Sequence, residues 1–332
     1  MNPQEPQHVD ILPAETSAEA AKPPWWKRSA KFIVFRVLFW YFVICLVMMF
    51  FQRYLLYHPT RADKISPAEA GLPEGFVHPI AYETADGLTI NGWHLLRNGQ
   101  VCHSEEECRE SLSRGKFVVL FFHGNGGDRR GRVDYAQVFT GARADVFLID
   151  YRGYADNPGS PNERGLYEDA RGLWNYATKE RGVDPGRIVI FGESLGGGVA
   201  VQLAQEVCAN GTPPAGLIVR STFSSLADAA GSHYPWLPVR WLLWDRFPSD
   251  DAIGDVTCPV LMLHGTKDRI VPFDLGKKLF DLTPEESSAG IAKQFVPLEG
   301  ADHNGLLFTH KPEFTEAIEG FLKRLPAPDH NE

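Results

Sequence analysis

The sequence predicts an α/β protein: an eight-stranded, mostly parallel sheet with helices on both faces, preceded by one N-terminal transmembrane helix. Three observations carry this. From Phe76 onward, short apolar runs alternate with longer amphipathic stretches. Most of those runs end in glycine- or aspartate-rich turns. One of them, Arg187-Ile188-Val189-Ile190-Phe191, leads into Gly192-Glu193-Ser194-Leu195-Gly196 and then into Gly197-Gly198-Val199-Ala200, which can open a helix. A serine with glycines two residues to either side, on a strand-to-helix corner, has the pattern of a nucleophile elbow. Such a turn is tight, and a Cβ at either glycine would meet the neighbouring strand or helix. The bland alternative is a glycine turn without chemistry.

The amino-terminal part differs in kind. Residues 1–31 read as a polar tail rich in Ala, Pro and Glu, at least to Ala21 without order. Residues 32–52 read as a transmembrane anchor. A helix of Phe32 to Phe51 rises about 1.5 Å per residue and spans roughly 30 Å, one hydrocarbon core. Trp25 and Trp26 before it suit an interfacial belt. The apolar run is long and no small-residue cleavage site follows, so a removable signal peptide fits poorly. Lys22, Lys27, Arg28 and Lys31 outweigh Arg53, Arg61 and Lys64, the latter offset by Asp63. By a narrow margin this favours a cytoplasmic N-terminus and an extracytoplasmic or periplasmic catalytic domain.

Residues 53–76 read as a linker. Val77 to Tyr82 and Leu88 to Leu95 form a hairpin about Ala85-Asp86-Gly87. Cys102-His103-Ser104-Glu105-Glu106-Glu107-Cys108 is a polar insertion that closes as a disulfide loop in an oxidising compartment or carries two free thiols. Phe117 to Phe122 is a continuous apolar strand ending in His123-Gly124-Asn125-Gly126-Gly127, with a helix from about Arg129 to Thr140. Val146 to Ile149 ends in Asp150-Tyr151-Arg152-Gly153-Tyr154, with a helix from about Asn162 to Glu180. The elbow strand follows, then Gly216 to Val219, then Pro259 to Leu263 ending in His264-Gly265-Thr266-Lys267-Asp268. Gln294 to Leu298 ends in Glu299-Gly300-Ala301-Asp302-His303, and a closing helix covers about Lys311 to Arg324. The domain thus spans 77–325, with 326–332 as a tail.

Eight strands with the elbow after the fifth resemble the α/β-hydrolase superfamily of serine hydrolases over about three quarters of the chain. The likeness is most specific at the loops beginning at His123, Asp150, Gly192, His264 and Ala301. With the anchor, the chain is similar to the short-lidded, membrane-attached esterase and thioesterase branch. One departure is Ala155-Asp156 after the Asp150 turn, where a glycine and a small residue are expected. The resemblance implies a Ser–acid–His order along the chain: Ser194 as nucleophile, Asp268 after the seventh strand and His303 after the eighth. It also implies an oxyanion hole formed by the backbone N–H groups of Leu195 and Asn125. His123 and His264 then hydrogen-bond loop backbone, and His310 is a capping or surface residue.

Composition excludes other classes. The net charge of -9 is opposed to a nucleic-acid face. No His/Cys spacing suits zinc, so no metal is expected. No Gly-rich loop carries the P-loop Lys-Ser/Thr, and no cofactor is expected. The lid falls at about 222–251, where Tyr234, Trp236 and Trp241 are candidate substrate contacts; equally, these aromatics pack the cap onto the core or touch the bilayer. Arg220 meets an anionic headgroup or makes a structural ion pair. The expected activity is hydrolysis of acyl or lipid esters or thioesters through an acyl-enzyme. A serine peptidase and a catalytically silent binding module are the alternatives.

Overall fold

The computed structural model describes residues 25–326. It divides into two units, Met1–Val47 and Met48–Glu332. The amino-terminal unit is described by a helix that begins at Trp25 and ends, within the second unit, at Leu56. Residues Trp25 to Lys31, expected in the polar tail, are therefore helical. The Pro23-Pro24 pair disfavours helix before it, and nothing after it interrupts one. The rest of the expected tail, residues 1–24, lies outside the described residues, as does nearly all of the expected tail at 326–332. Ala30–Leu56 is long and apolar enough to cross a membrane. Phe32, Phe35, Val37, Leu38 and Phe42 stand exposed along it, more apolar surface than a water-facing helix carries.

The second unit is built on one sheet. Its strands are β1 (Val77–Glu83), β2 (Thr89–Leu95), β3 (Phe117–Phe122), β4 (Ala144–Ile149), β5 (Ile188–Glu193), β6 (Gly216–Arg220), β7 (Val260–Gly265) and β8 (Gln294–Leu298). They lie in the order β8-β7-β6-β5-β3-β4-β2-β1. β2 is antiparallel to both its neighbours, β1 and β4; every other pair is parallel. All six residues of β3 and of β5 are buried, as a strand covered on both faces must be. Alternation then sorts the side chains. Val118, Leu120 and Phe122 join one core with Leu166, Val199 and Leu203. Phe117, Val119 and Phe121 join the other with Phe139, Phe314 and Phe321.

Several boundaries differ from expectation for local reasons. After β3, a tight turn at Arg129–Arg132 precedes the helix Val133–Gly141, because Asp128 accepts from Arg130 N and caps that turn. Asn162 is the cap of its helix, accepting from Gly165 N, and the helix widens to a five-residue turn at Tyr176–Glu180. The closing helix starts at Leu306 and kinks at His310, two residues before Pro312. A helix at Glu105–Arg114 was unforeseen, although its signal was local. Ser104 accepts from Glu107 N at 3.2 Å, the Glu107 carboxylate accepts from His103 N, and three glutamates occupy the first turn. Cys108 on this helix is joined to Cys102, so the open alternative of the insertion resolves as a disulfide. His78 lies beside both sulfurs, which are already spent on each other.

Candidate active site

The carboxyl ends of β3, β5, β7 and β8 share one edge of the sheet, where open α/β sheets place their ligands. Ser194 follows β5 at φ 53°, ψ −117°, a conformation strained for any residue with a side chain. The strain is held by close packing. A Cβ on Gly196 would come within 2.2 Å of the Phe122 carbonyl oxygen, and one on Gly192 within 2.4 Å of that of Gly196. The Ser194 N–H donates to Arg220 O at 2.9 Å, and its carbonyl accepts from Thr222 Oγ1 at 2.9 Å. The helix Leu195–Ala209 leaves directly from it.

His303 reaches across from the loop after β8. Its Nε2 is 3.1 Å from Ser194 Oγ, and its Nδ1 is 2.6 Å from Asp268 Oδ2. Asp268 Oδ1 accepts from the N–H groups of Ile270 and Val271 at 2.9 and 2.8 Å. Burial raises the Asp268 pKa, but the hydrogen bonds from His264 and His303 outweigh it and hold the carboxyl well below the ordinary range. All three residues are buried, with Ser194 7% exposed. Ser194, His303 and Asp268, far apart in sequence, thus form one hydrogen-bonded relay.

The loop after β3 lies against the serine: a Cβ on Gly124 would be 3.5 Å from Ser194 Cβ. Among the described residues, no protein acceptor pairs with the backbone N–H of Asn125 or of Leu195. His123 turns away, its Nδ1 2.7 Å from Gly124 O and its Nε2 3.3 Å from Asp150. His264 Nε2 is 2.9 Å from Val271 O. Asp302 accepts from Gly305 N, and His310 bonds Glu299 O.

Glu193 and Arg132, which sequence reasoning missed, meet Arg220 beside the serine. Glu193 pairs with Arg132 at 3.0 Å and lies 3.7 Å from Arg220. Burial raises its pKa, and the charges of Arg132, Arg220 and two histidines bring it below the ordinary carboxylate range. Arg220, 1% exposed, donates to Tyr135 Oη and to the His303 carbonyl. It makes the structural ion pair of the two alternatives. A charged residue at the buried end of an apolar strand was the available signal for Glu193.

Space around the site is uneven. A hollow of about 450 Å³ adjoins His303 and is lined by Lys267, Arg269, Asn304 and Thr309. A smaller apolar cavity of about 150 Å³ takes Tyr234 with Leu226, Leu237, Leu242, Met48 and Leu55. Trp236 and Trp241, also expected at the substrate, are exposed and line neither, Trp241 being 88% exposed. Trp241 lies on the short helix Val239–Leu242, whereas Tyr234 and Trp236 lie in the turn that joins it to Leu226–His233. Another hollow, of about 750 Å³, lies between β8 and the closing helix and touches none of the three relay residues.

A sequence profile of the alpha/beta hydrolase family matches residues 119–318. The chain belongs to that family. This hydrolase is 39% identical over 271 residues to an uncharacterized protein of Mycobacterium tuberculosis, covering 82% of this chain and 87% of the relative. It is 34% identical over 291 residues to the lysophosphatidylserine lipase ABHD12 of Danio rerio, covering 81% of this chain and 75% of the relative. Among solved structures, an esterase of Pyrococcus furiosus superposes with a TM-score of 0.58 at 15% identity, over 81% of this chain and 98% of the esterase; the fold is shared.

Proposed function

We propose that the protein is a membrane-anchored serine hydrolase that cleaves acyl esters of lipids through an acyl-enzyme. The observation that carries this is the relay from Ser194 through His303 to Asp268, on a strained turn beside two unpaired backbone N–H groups. Ser194 Oγ attacks the acyl carbonyl carbon as His303 Nε2 takes the hydroxyl proton. Charge moves to the carbonyl oxygen, which accepts from Leu195 N and Asn125 N; one such donor is worth about 3 kcal/mol. As the carbonyl re-forms, the bond to the leaving oxygen breaks and His303 returns the proton to it. A water then attacks the acyl-serine, again giving His303 its proton, and the acid leaves as Ser194 is regenerated. Asp268 holds the imidazole by Nδ1–H and stabilises its cation without taking the proton.

The similarity to a lysophosphatidylserine lipase supports a single-chain acyl lipid with an anionic headgroup. Lys267 and Arg269 beside His303 supply the matching charge. A thiol ester is open to the same steps, with sulfur as the leaving atom. The apolar helix Ala30–Leu56 supports membrane anchoring. The Cys102–Cys108 bond supports an oxidising compartment, in agreement with an extracytoplasmic domain and a cytoplasmic N-terminus.

The test is labelling by a fluorophosphonate probe and turnover of p-nitrophenyl acyl esters, comparing wild type with Ser194→Ala. The variant is expected to lose labelling and on the order of 10⁶-fold in kcat. Equal behaviour of the two proteins overturns the reading. Faster cleavage of peptide anilides than of esters turns it to a peptidase.

A further inference from the structure

The linker that leaves the apolar helix does not run free. Its residues His58 and Pro59 pair in parallel with Gly126 and Gly127, in the loop after β3. His58 N donates to Asn125 O at 2.9 Å, and Thr60 N to Gly127 O at 3.2 Å. In the other direction, Asn125 Nδ2 donates to Leu56 O at 2.8 Å. Leu56 is the last residue of the helix, so its carbonyl is one of those a helix end leaves unpaired. Asn125 thus caps the helix with its side chain, while its own carbonyl also accepts from Tyr154 Oη at 2.7 Å. Its backbone N–H pairs with no protein acceptor among the described residues.

The pairing extends one step further. Ala155 N donates to Thr60 O at 2.8 Å, and Ala62 N donates to Ala155 O at 3.0 Å. Ala155 takes φ 47° to do so, and Asp156 holds Arg129 at 2.8 and 3.1 Å. The departure from the family pattern at Ala155-Asp156 is therefore the place where the linker docks. Upstream, the helix end is clasped by the cap. Arg53 makes two bonds to Asp245 at 2.9 and 3.0 Å, and Tyr57 Oη adds a third at 3.0 Å. Gln52 donates to Leu242 O and accepts from Trp244 N.

We infer that Leu56 to Thr60 is a positioning segment for the oxyanion loop. It holds Asn125 by its carbonyl and by its side chain, and Gly127 by its carbonyl, so the end of the apolar helix and the shape of the site are set together. The inference rests on the proposal above that Asn125 N is an oxyanion donor. Residues 56–60 touch no substrate; they act through Asn125. Positioning errors of about 1 Å at a reacting centre cost on the order of 10²-fold in rate.

The test uses the full chain in detergent with p-nitrophenyl butyrate, which is soluble and removes any effect of membrane access. Asn125→Leu keeps the backbone N–H and deletes the bond to Leu56. His58→Pro deletes the bond to Asn125 O from the linker side. Each is expected to lower kcat about 10- to 100-fold, with KM within about twofold and a matching loss of affinity for a trifluoromethyl ketone, which mimics the tetrahedral oxyanion. Wild-type kcat and ketone affinity in both variants overturn the inference, as does a change confined to KM or to Tm. Should His58→Pro not fold, Asn125→Leu decides by itself. Ser194→Ala in the same assay separates the two levels: an active Ser194→Ala sinks the hydrolase proposal, whereas an inactive one beside unaffected linker variants sinks only this inference.

Discussion

The nucleophile turn and the oxyanion loop sit against each other and are built in opposite ways. The turn takes its shape from a local motif: Gly192 and Gly196 let β5 and its helix close on Ser194 at φ 53°, and Phe122, Arg220 and Thr222 then hold it. The loop's local bonds, between His123 Nδ1 and Gly124 O and from Arg132 Nη2 to Gly126 O, are joined by bonds from distant segments. His123-Gly124-Asn125-Gly126-Gly127 is held by Leu56, His58 and Thr60 from one side and by Tyr154 from the other. The difference teaches that the nucleophile can be specified by a short motif, whereas the charge-stabilising half of the site depends on contacts from distant segments. Glycine at the turn is steric necessity; at Gly126 in the loop a Cβ would make only ordinary contact with His58.

Breaking the relay should have the largest effect. Asp268→Asn is expected to lower kcat by about 10⁴-fold while leaving substrate binding little changed, as measured by steady-state kinetics on a soluble ester. Next, Gly196→Ala drives a methyl group into the Phe122 and His123 carbonyl oxygens. Backbone cannot yield as a side chain does, so a loss of about 1–3 kcal/mol in denaturant unfolding is expected. Gly126→Ala, whose Cβ meets only His58 at 3.8 Å, should cost far less. A reversal of that order would remove the contrast between the two regions.

Acid sharpens the comparison from another side. The folded Asp268 pKa lies below its unfolded value of about 3.9, so the ionised carboxyl contributes stability that is present above that value. This is lost as pH falls through the folded value. The Tm difference between wild type and Asp268→Asn should therefore be greatest near neutrality and shrink as pH drops below about 4. The smallest effect belongs to the hollow beside His303. Lys267→Glu is expected to raise KM for a lysophosphatidylserine severalfold, with little change for a neutral monoacyl ester, since an exposed charge contributes about 1 kcal/mol at most. Equal shifts for the two lipids would remove the headgroup assignment.

Much of this was legible in the chain itself. The apolar helix, the buried strands, the elbow and the loops carrying Asp268 and His303 follow from runs and spacings that act over a few residues, where periodicity and steric demand leave little freedom. Even the unforeseen helix at Glu105 carried its cap in Ser104 and Glu107. What no local pattern encodes is which distant groups meet. The Glu193–Arg132–Arg220 cluster and the docking of residues 56–60 on the oxyanion loop depend on chain segments brought together only when the sheet closes. The linker above all is polar and without period, so its role arises from backbone hydrogen bonds, which every residue but proline can donate and which the sequence therefore does not mark.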